Sequence, residues 1–201
     1  MIDAIVLAAG LGRRWGAAAK PLLDVDGETA LGVVLCRIRA EGIARPIVVL
    51  GHSADAIREA VDLSNCHVII NPHPELGMGS SLAKGLNAVS PEAIGTLIFH
   101  VDMPFIRADT IRRVIDEADA GAHIAAPQFG VQRGFPVYFA RSCFPELKEH
   151  LDGDTGGKGY IDAHPELLHV LPVEDPGCVH DVDRPEDLAA WKGGQPCATC
   201  A

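Results

Sequence analysis

Two kinds of apolar block alternate along the chain. Short, almost unbroken apolar runs lie at 5–8, 46–50, 67–70 and 96–101, each closed by Gly, Asn or Asp. Such runs suit strands buried on both faces. Between them the apolar positions change period. Leu31, Val34, Leu35 and Ile38 follow helical spacing, with Gly42 as the stop. Ser53 stands where it can cap a helix carrying Ile57 and Val61. A helix starting near Gly79 carries Leu82, Leu86 and Val89, and another carries Ile111, Val114, Ile115 and Ala118. Beyond Gly121 the pattern loosens: strands are expected at 124–126, 137–139 and 168–173, a helix at 145–151, and a final helix from Pro185. This alternation predicts the α/β class, a mostly parallel sheet with helices on both faces. Ligands of such sheets gather beyond the carboxyl ends of the strands. Gly10, Asn71, Asp102 and the pair Asp181 and Asp183 all follow strand signals.

Composition narrows the classes. With 201 residues and 48% hydrophobic content, the chain is long enough for one domain with a substantial core. We expect that domain over 1–192 and a flexible tail over 193–201. A net charge of -10 and 5% aromatic residues argue against nucleic acid as a partner. The N-terminal apolar run is interrupted by Gly10 and then Arg13, which predicts neither a signal peptide nor a membrane span. Of six scattered cysteines, Cys36, Cys66, Cys143 and Cys178 sit in apolar or mixed segments and read as reduced thiols, and the expected location is cytoplasmic. The Cys197 and Cys200 pair is a lone CxxC without a partner pair, a weak metal signal.

Residues 8–20 carry the first chemistry. Ala8, Ala9, Gly10, Gly12 and Gly16 let backbone N–H groups approach an anion, and Arg13, Arg14 and Lys20 supply positive charge. Together they suit a triphosphate. The segment is not a P-loop, because Lys20 follows Gly16 by four residues and precedes Pro21. Nor is it a dinucleotide fingerprint, because the third Gly falls one residue late. Asp152–Gly156 imitates a calcium loop but fails at its fifth and twelfth positions. His100, on the fourth strand, reads as a core histidine.

The spacing Leu7-Ala8-Ala9-Gly10-x-Gly12-x-Arg14-x-Gly16-x-x-x-Lys20 resembles the opening signature of the small nucleotidyltransferases that make dinucleotide forms of molybdenum cofactor. Further matches are Gly77-Met78-Gly79-Ser80-Ser81-Leu82, Val101-Asp102-Met103-Pro104, Arg133-Gly134-Phe135-Pro136, Gly153-Asp154-x-Gly156 and 181–188. They run along almost the whole chain. The resemblance is to the molybdenum cofactor cytidylyltransferase and molybdopterin-guanine dinucleotide synthase family. It implies a single-domain, Rossmann-like, nucleotide-diphospho-sugar transferase-like fold. The implied reaction moves CMP from CTP to a molybdopterin-type acceptor and releases pyrophosphate, with Mg²⁺ as cofactor. Ala9 resembles the cytidylyl branch, since the guanylyl branch, which uses GTP, usually carries Gly there. Trp15, Pro21 and Arg184 depart from the family's pattern, and Pro21 resembles sugar nucleotidyltransferases.

Joining two anions calls for cations and dipoles held in place, not for a side-chain nucleophile. Lys20 is the expected phosphate contact in the transition state, with Arg13 or Arg14 holding the β- and γ-phosphates as a planar fork. Asp102, directly after an apolar strand, is the expected Mg²⁺ ligand, since an unpaired carboxylate there would be costly. Asp183 is favoured over Asp181 to complete the metal site, with helix capping as the alternative. The resemblance assigns the backbone of Leu7, Ala8 and Ala9 to the base edge. Asn71, Gly79, Ser80 and Ser81 are candidates for base and ribose, although Ser80 could equally cap its helix. Arg133, Gly134, Gly156 and Lys158 are candidates for the acceptor's phosphate. A sugar-phosphate nucleotidyltransferase and a non-catalytic carrier that delivers cofactor to a molybdoenzyme are the competing readings. The carrier would have no need of Lys20 or Asp102.

Overall fold

The structure is a computed structural model that describes residues 1–10, 19–151, 153–183, 187–188 and 191. Its centre is an eight-stranded sheet built on β1 (Ile2–Ala8), β4 (Ile47–Leu50), β5 (His67–Ile70), β6 (Gly95–His100), β7 (Ile124–Phe129), β8 (Gln132–Arg133), β9 (Val137–Ala140) and β10 (Leu168–Pro172). The strand order is β10-β7-β9-β6-β1-β4-β5, with β8 paired to β7. Pairs β6–β1, β1–β4, β4–β5 and β7–β10 are parallel, while β9 runs antiparallel to both β6 and β7. A separate hairpin joins β2 (Asp24–Val25) to β3 (Glu28–Thr29).

Successive β1 residues point to opposite faces, and both faces are covered. Ala4, Val6 and Ala8 pack on one side with α1 (Ala30–Ala40), α2 (Ala54–Ala60) and α4 (Ala108–Asp119). Ile5 and Leu7 pack on the other with α3 (Met78–Ala88), α5 (Phe144–Glu149) and α6 (Lys158–Ala163). The expected helical stripe is the buried face of α1, where Leu31, Val34, Leu35 and Ile38 lie within the core. Thr29 caps α1 by accepting from the Gly32 N–H at 3.1 Å, and Gly42 takes φ +85° just past its end. Ser53 occupies the N-cap of α2 without a side-chain capping bond. No helix among the described residues is long and apolar enough to cross a membrane.

The expectation that these four thiols are reduced fails at Cys36, which is disulfide-bonded, whereas Cys66, Cys143 and Cys178 are free and buried. Spacing alone had no means of pairing Cys36. The expected tail over 193–201 and the residues opening the last helix, 184–186, lie outside the described residues.

From β1 the chain steps outward through β4 to β5, then returns across β1 to place β6 on its other side. That reversal opens a crevice beyond the carboxyl ends of β1 and β6, where an open α/β sheet binds its ligands.

Candidate active site

Two adjoining cavities occupy this crevice. The first, about 480 Å³, is lined by Ala9 and Gly10 after β1, by Val101 and Asp102 after β6, and by Lys20 and Asp183. Lys20 enters in a 3₁₀ turn, Lys20–Leu22, and its stem is shielded so that the side chain is 19% exposed. The ammonium lies 3.1 Å from Asp102 Oδ2 and 2.5 Å from Asp183 Oδ1. Burial acts to lower the Lys20 pKa, but the hydrogen bonds and charges of Asp183 and Asp102 outweigh it and hold the group above its ordinary value.

The backbone fixes both carboxylates. Val182 N–H donates to Asp102 C=O at 2.7 Å, which ties the loop after β6 to the closing segment. Asp183 N–H donates to Asp187 Oδ2 at 2.8 Å. Val182 is buried between Asp181, which is exposed, and Asp183, which faces the cavity. The two aspartates therefore do not act as a matched pair; Asp183 alone meets Asp102 at the ammonium.

The second cavity, about 360 Å³, runs from the first toward Arg133 of β8 and Val137 and Phe139 of β9. Leu7, Met78 and His100 line both. Its interior is apolar, formed by residues such as Leu82, Ile98, Val137 and Phe139, with Arg133, Gly134 and Lys158 also in its lining. Arg133 lies 3.9 Å from Asp162, and Lys158 hydrogen-bonds to the same carboxylate. Lys158, and less strongly Arg133, hold the Asp162 carboxyl below its usual range. Gly156 is not part of this lining; its φ is +54° and an added Cβ would stand 2.9 Å from the Met78 sulfur.

The base and ribose candidates divide. Ser81 lines the first cavity, but Asn71, Gly79 and Ser80 do not. The Asn71 side chain is 1% exposed, donates to both Ser80 Oγ (2.8 Å) and Ser81 Oγ (2.9 Å), and accepts from His73 N–H. It locks the end of β5 to the start of α3. Ser80 Oγ also donates to Gly77 C=O at 2.8 Å, yet Ser80 does not cap α3: it lies within the helix, whose N-cap is Gly77 with no side-chain capping bond. Gly79 N–H donates to Gly153 C=O at 2.8 Å, and a Cβ there would strike the Leu151 carbonyl. These three shape the wall. Arg13, Arg14 and Gly12 lie outside the described residues.

Sequence reasoning missed Glu75, Met78 and Asp154 as lining, and set His100 aside as core. His100 is indeed shielded, with its ring 4.2 Å from that of Phe135, yet it borders both cavities. Burial pushes its pKa down, the Lys20 charge adds to this, and Asp102 and Asp181 oppose it. Its place directly before Val101-Asp102 was the available signal.

The described ionic side chains around the first cavity are one ammonium, Lys20, against Glu75, Asp102, Asp154 and Asp183. A bare triphosphate would be repelled by this lining, so positive charge must accompany it. Two carboxylates converging from separate loops suit Mg²⁺, which commonly takes one or two carboxylates and completes its shell with phosphate and water. The donor set therefore fits a divalent ion of that kind.

Fold and crevice together define an α/β protein of the open, mostly parallel kind that takes its ligands beyond the carboxyl ends of its strands. The chain belongs to the MobA-like NTP transferase domain family, whose match spans residues 4–167. It is similar over nearly its whole length to nicotine blue oxidoreductase of Paenarthrobacter nicotinovorans, 25% identical over 193 residues, covering 93% of this chain and 94% of that protein. The crystal structure of Rv0371c from Mycobacterium tuberculosis superposes with a TM-score of 0.83 at 32% identity, covering 94% of this chain and 96% of the other. A manganese complex of Rv0371c superposes at 0.80. The bifunctional protein GlmU of Azotobacter vinelandii is 36% identical over 172 residues, covering 77% of this chain, which spans 37% of GlmU's length. The protein is a nucleotidyltransferase.

Proposed function

We propose that the protein transfers CMP from CTP to the terminal phosphate of a molybdopterin-type acceptor, releasing pyrophosphate. The observation that carries this reading is the convergence of Asp102 and Asp183 on Lys20 at the floor of a cavity beyond β1 and β6. Mg²⁺ held by Asp102 and Asp183 would supply neutralising charge to the α-phosphate, and the manganese complex of a relative supports a divalent ion in this family. Lys20 stabilises charge on the phosphates as the α-phosphorus is attacked in line. Arg13 or Arg14 holds the β- and γ-phosphates, and backbone groups of Leu7, Ala8, Ala9 and Gly10 read the nucleotide. Ser81 faces the same cavity from α3. Arg133 and Lys158 bind the acceptor's phosphate in the second cavity, with the Gly134 and Gly156 turns shaping its approach. No side chain forms a covalent intermediate.

Ala9 supports CTP over GTP through the family resemblance. A thermal-shift panel with Mg²⁺ tests this: CTP should raise Tm more than GTP or ATP, since binding to the native state stabilises by mass action. A larger shift with GTP would replace the cytidylyl reading by the guanylyl one. Pyrophosphate release dependent on a molybdopterin acceptor tests the transfer itself. One second reading has its own support: Pro21 after Lys20 and the GlmU likeness favour a sugar-phosphate acceptor. Pyrophosphate release with a sugar 1-phosphate would establish it. An oxidoreductase, the activity in the Paenarthrobacter relative's name, would release no pyrophosphate.

A further inference from the structure

We infer that Lys20 has two stations: before nucleotide binds, its ammonium occupies the metal position and keeps free divalent cations out, and it leaves for the phosphates only when a metal-bound triphosphate arrives. The inference rests on the reading of Asp102 and Asp183 as metal ligands. The ammonium lies within hydrogen-bond reach of both carboxylates at once, 3.1 Å from Asp102 Oδ2 and 2.5 Å from Asp183 Oδ1. It is a compact point charge with three donors and no acceptor. A divalent ion bound between the same oxygens would bring two like charges into one small volume, so the two cations exclude each other.

The surroundings give the exchange a direction. Without Lys20, Asp102 and Asp183 would face each other across a cavity whose other described ionic groups are the acidic Glu75 and Asp154. One cation or another must stand there. The protein supplies its own while the site awaits substrate. The triphosphate then provides what draws the ammonium away, a dense anion on the same cavity wall, while its metal takes over the carboxylates. Metal and nucleotide binding are thereby coupled: each is weak alone and strong with the other, as linkage requires. The arrangement spares the enzyme from holding a free metal ion with no phosphate to act on.

Mn²⁺ binding, measured by electron paramagnetic resonance with and without CTP and with no acceptor present, tests this. Wild-type protein should bind Mn²⁺ at least tenfold more weakly without CTP than with it. Lys20→Met should bind Mn²⁺ at least tenfold more tightly than wild type in the absence of CTP, a gain that mere damage to the fold would not produce. Lys20→Gln, with circular dichroism to verify folding, repeats the test with a polar side chain. Equal Mn²⁺ affinity of wild type and both variants without nucleotide would overturn the inference. Adding Asp102→Asn to Lys20→Met separates the two claims: Mn²⁺ binding should disappear. Binding that persists would instead refute the metal site on which the inference rests.

Discussion

The most informative single residues are those whose polar groups are fully committed. Lys20 is committed to Asp102 and Asp183, which both accept from its ammonium, and the loss of Lys20 or Asp102 should be felt in chemistry. Lys20→Ala is expected to lower turnover by about 10²–10³, the usual cost of removing one electrostatic donor from a transition state. Pyrophosphate release under saturating CTP measures it. Asp175 is committed to structure. It is 2% exposed and accepts from Arg107 N–H, Thr110 Oγ1 and Gly177 N–H, pinning the start of α4 to the loop after β10. Asp175→Ala strands these donors, at about 1–3 kcal/mol for each one left unsatisfied in the interior. Urea unfolding should show that loss while CTP binding at native concentrations of denaturant-free buffer is retained. Asn71 is a candidate nucleotide contact by its place, a polar residue ending a strand. Its amide knits β5 to α3, and nothing in spacing separates the two roles.

Elements were legible in proportion to their length and period. The long stripes of α1 and α4 and the apolar runs of β1, β4, β5 and β6 stand where the pattern places them. Short elements carry too few residues to show a period, so β8 with two residues and α6 with six went unread. The β2–β3 hairpin carries a local signal in the sequence. Asp26-Gly27 is a strong two-residue turn, and both adopt positive φ, 55° and 91°. The wall formed by Gly77, Met78 and Asp154 depends on a close approach between the start of α3 and residues 153–156. Gly77 has φ +94°, and a Cβ there would stand 2.5 Å from the Gly153 carbonyl. Gly77→Ala should destabilise the protein and weaken CTP binding together, because the backbone at the α3 N-terminus must withdraw. Calorimetric melts and CTP titration would reveal whether both change. On α6, Asp162 holds Lys158 and stands near Arg133. Asp162→Asn should cost at most about 0.5 kcal/mol of stability, as expected for an exposed i,i+4 pair, while lowering KM for an anionic acceptor. Steady-state kinetics would check the direction.

At the scale of the molecule, the reversal of strand order brings distant segments into one crevice. Lys20, Asp102 and Asp183 are separated by 82 and 163 positions along the chain counted from the lysine, yet share one ion cluster. Strand and helix alternation announces the sheet, and an acid directly after an apolar strand singles out Asp102, but no local pattern states that its loop meets Asp183 at Lys20. The antiparallel insertion of β9 between β6 and β7 is likewise a tertiary outcome. The buried acids also bear on the whole fold. Burial raises the Tyr138 hydroxyl to about 12, with Cys143 and Asp119 adding to it, and raises the Cys178 thiol to about 12, with Asp175 adding to it. Both groups ionise more readily once unfolded, near 10 for Tyr138 and 9 for Cys178. Their contribution is therefore complete below those unfolded values and is lost as pH rises toward about 12. Unfolding free energy should decline from pH 9 upward, and Tyr138→Phe should flatten the decline above pH 10.

The central claim is that Asp102 and Asp183 hold a divalent ion that arrives with the triphosphate and takes the place of the Lys20 ammonium. A crystal soaked with CTP and Mn²⁺, read by anomalous scattering at the manganese edge, tests it most directly. The account predicts one strong peak between the two carboxylates and the Lys20 ammonium turned to the phosphates. A peak elsewhere, with the ammonium still bridging Asp102 and Asp183 beside bound CTP, would contradict it.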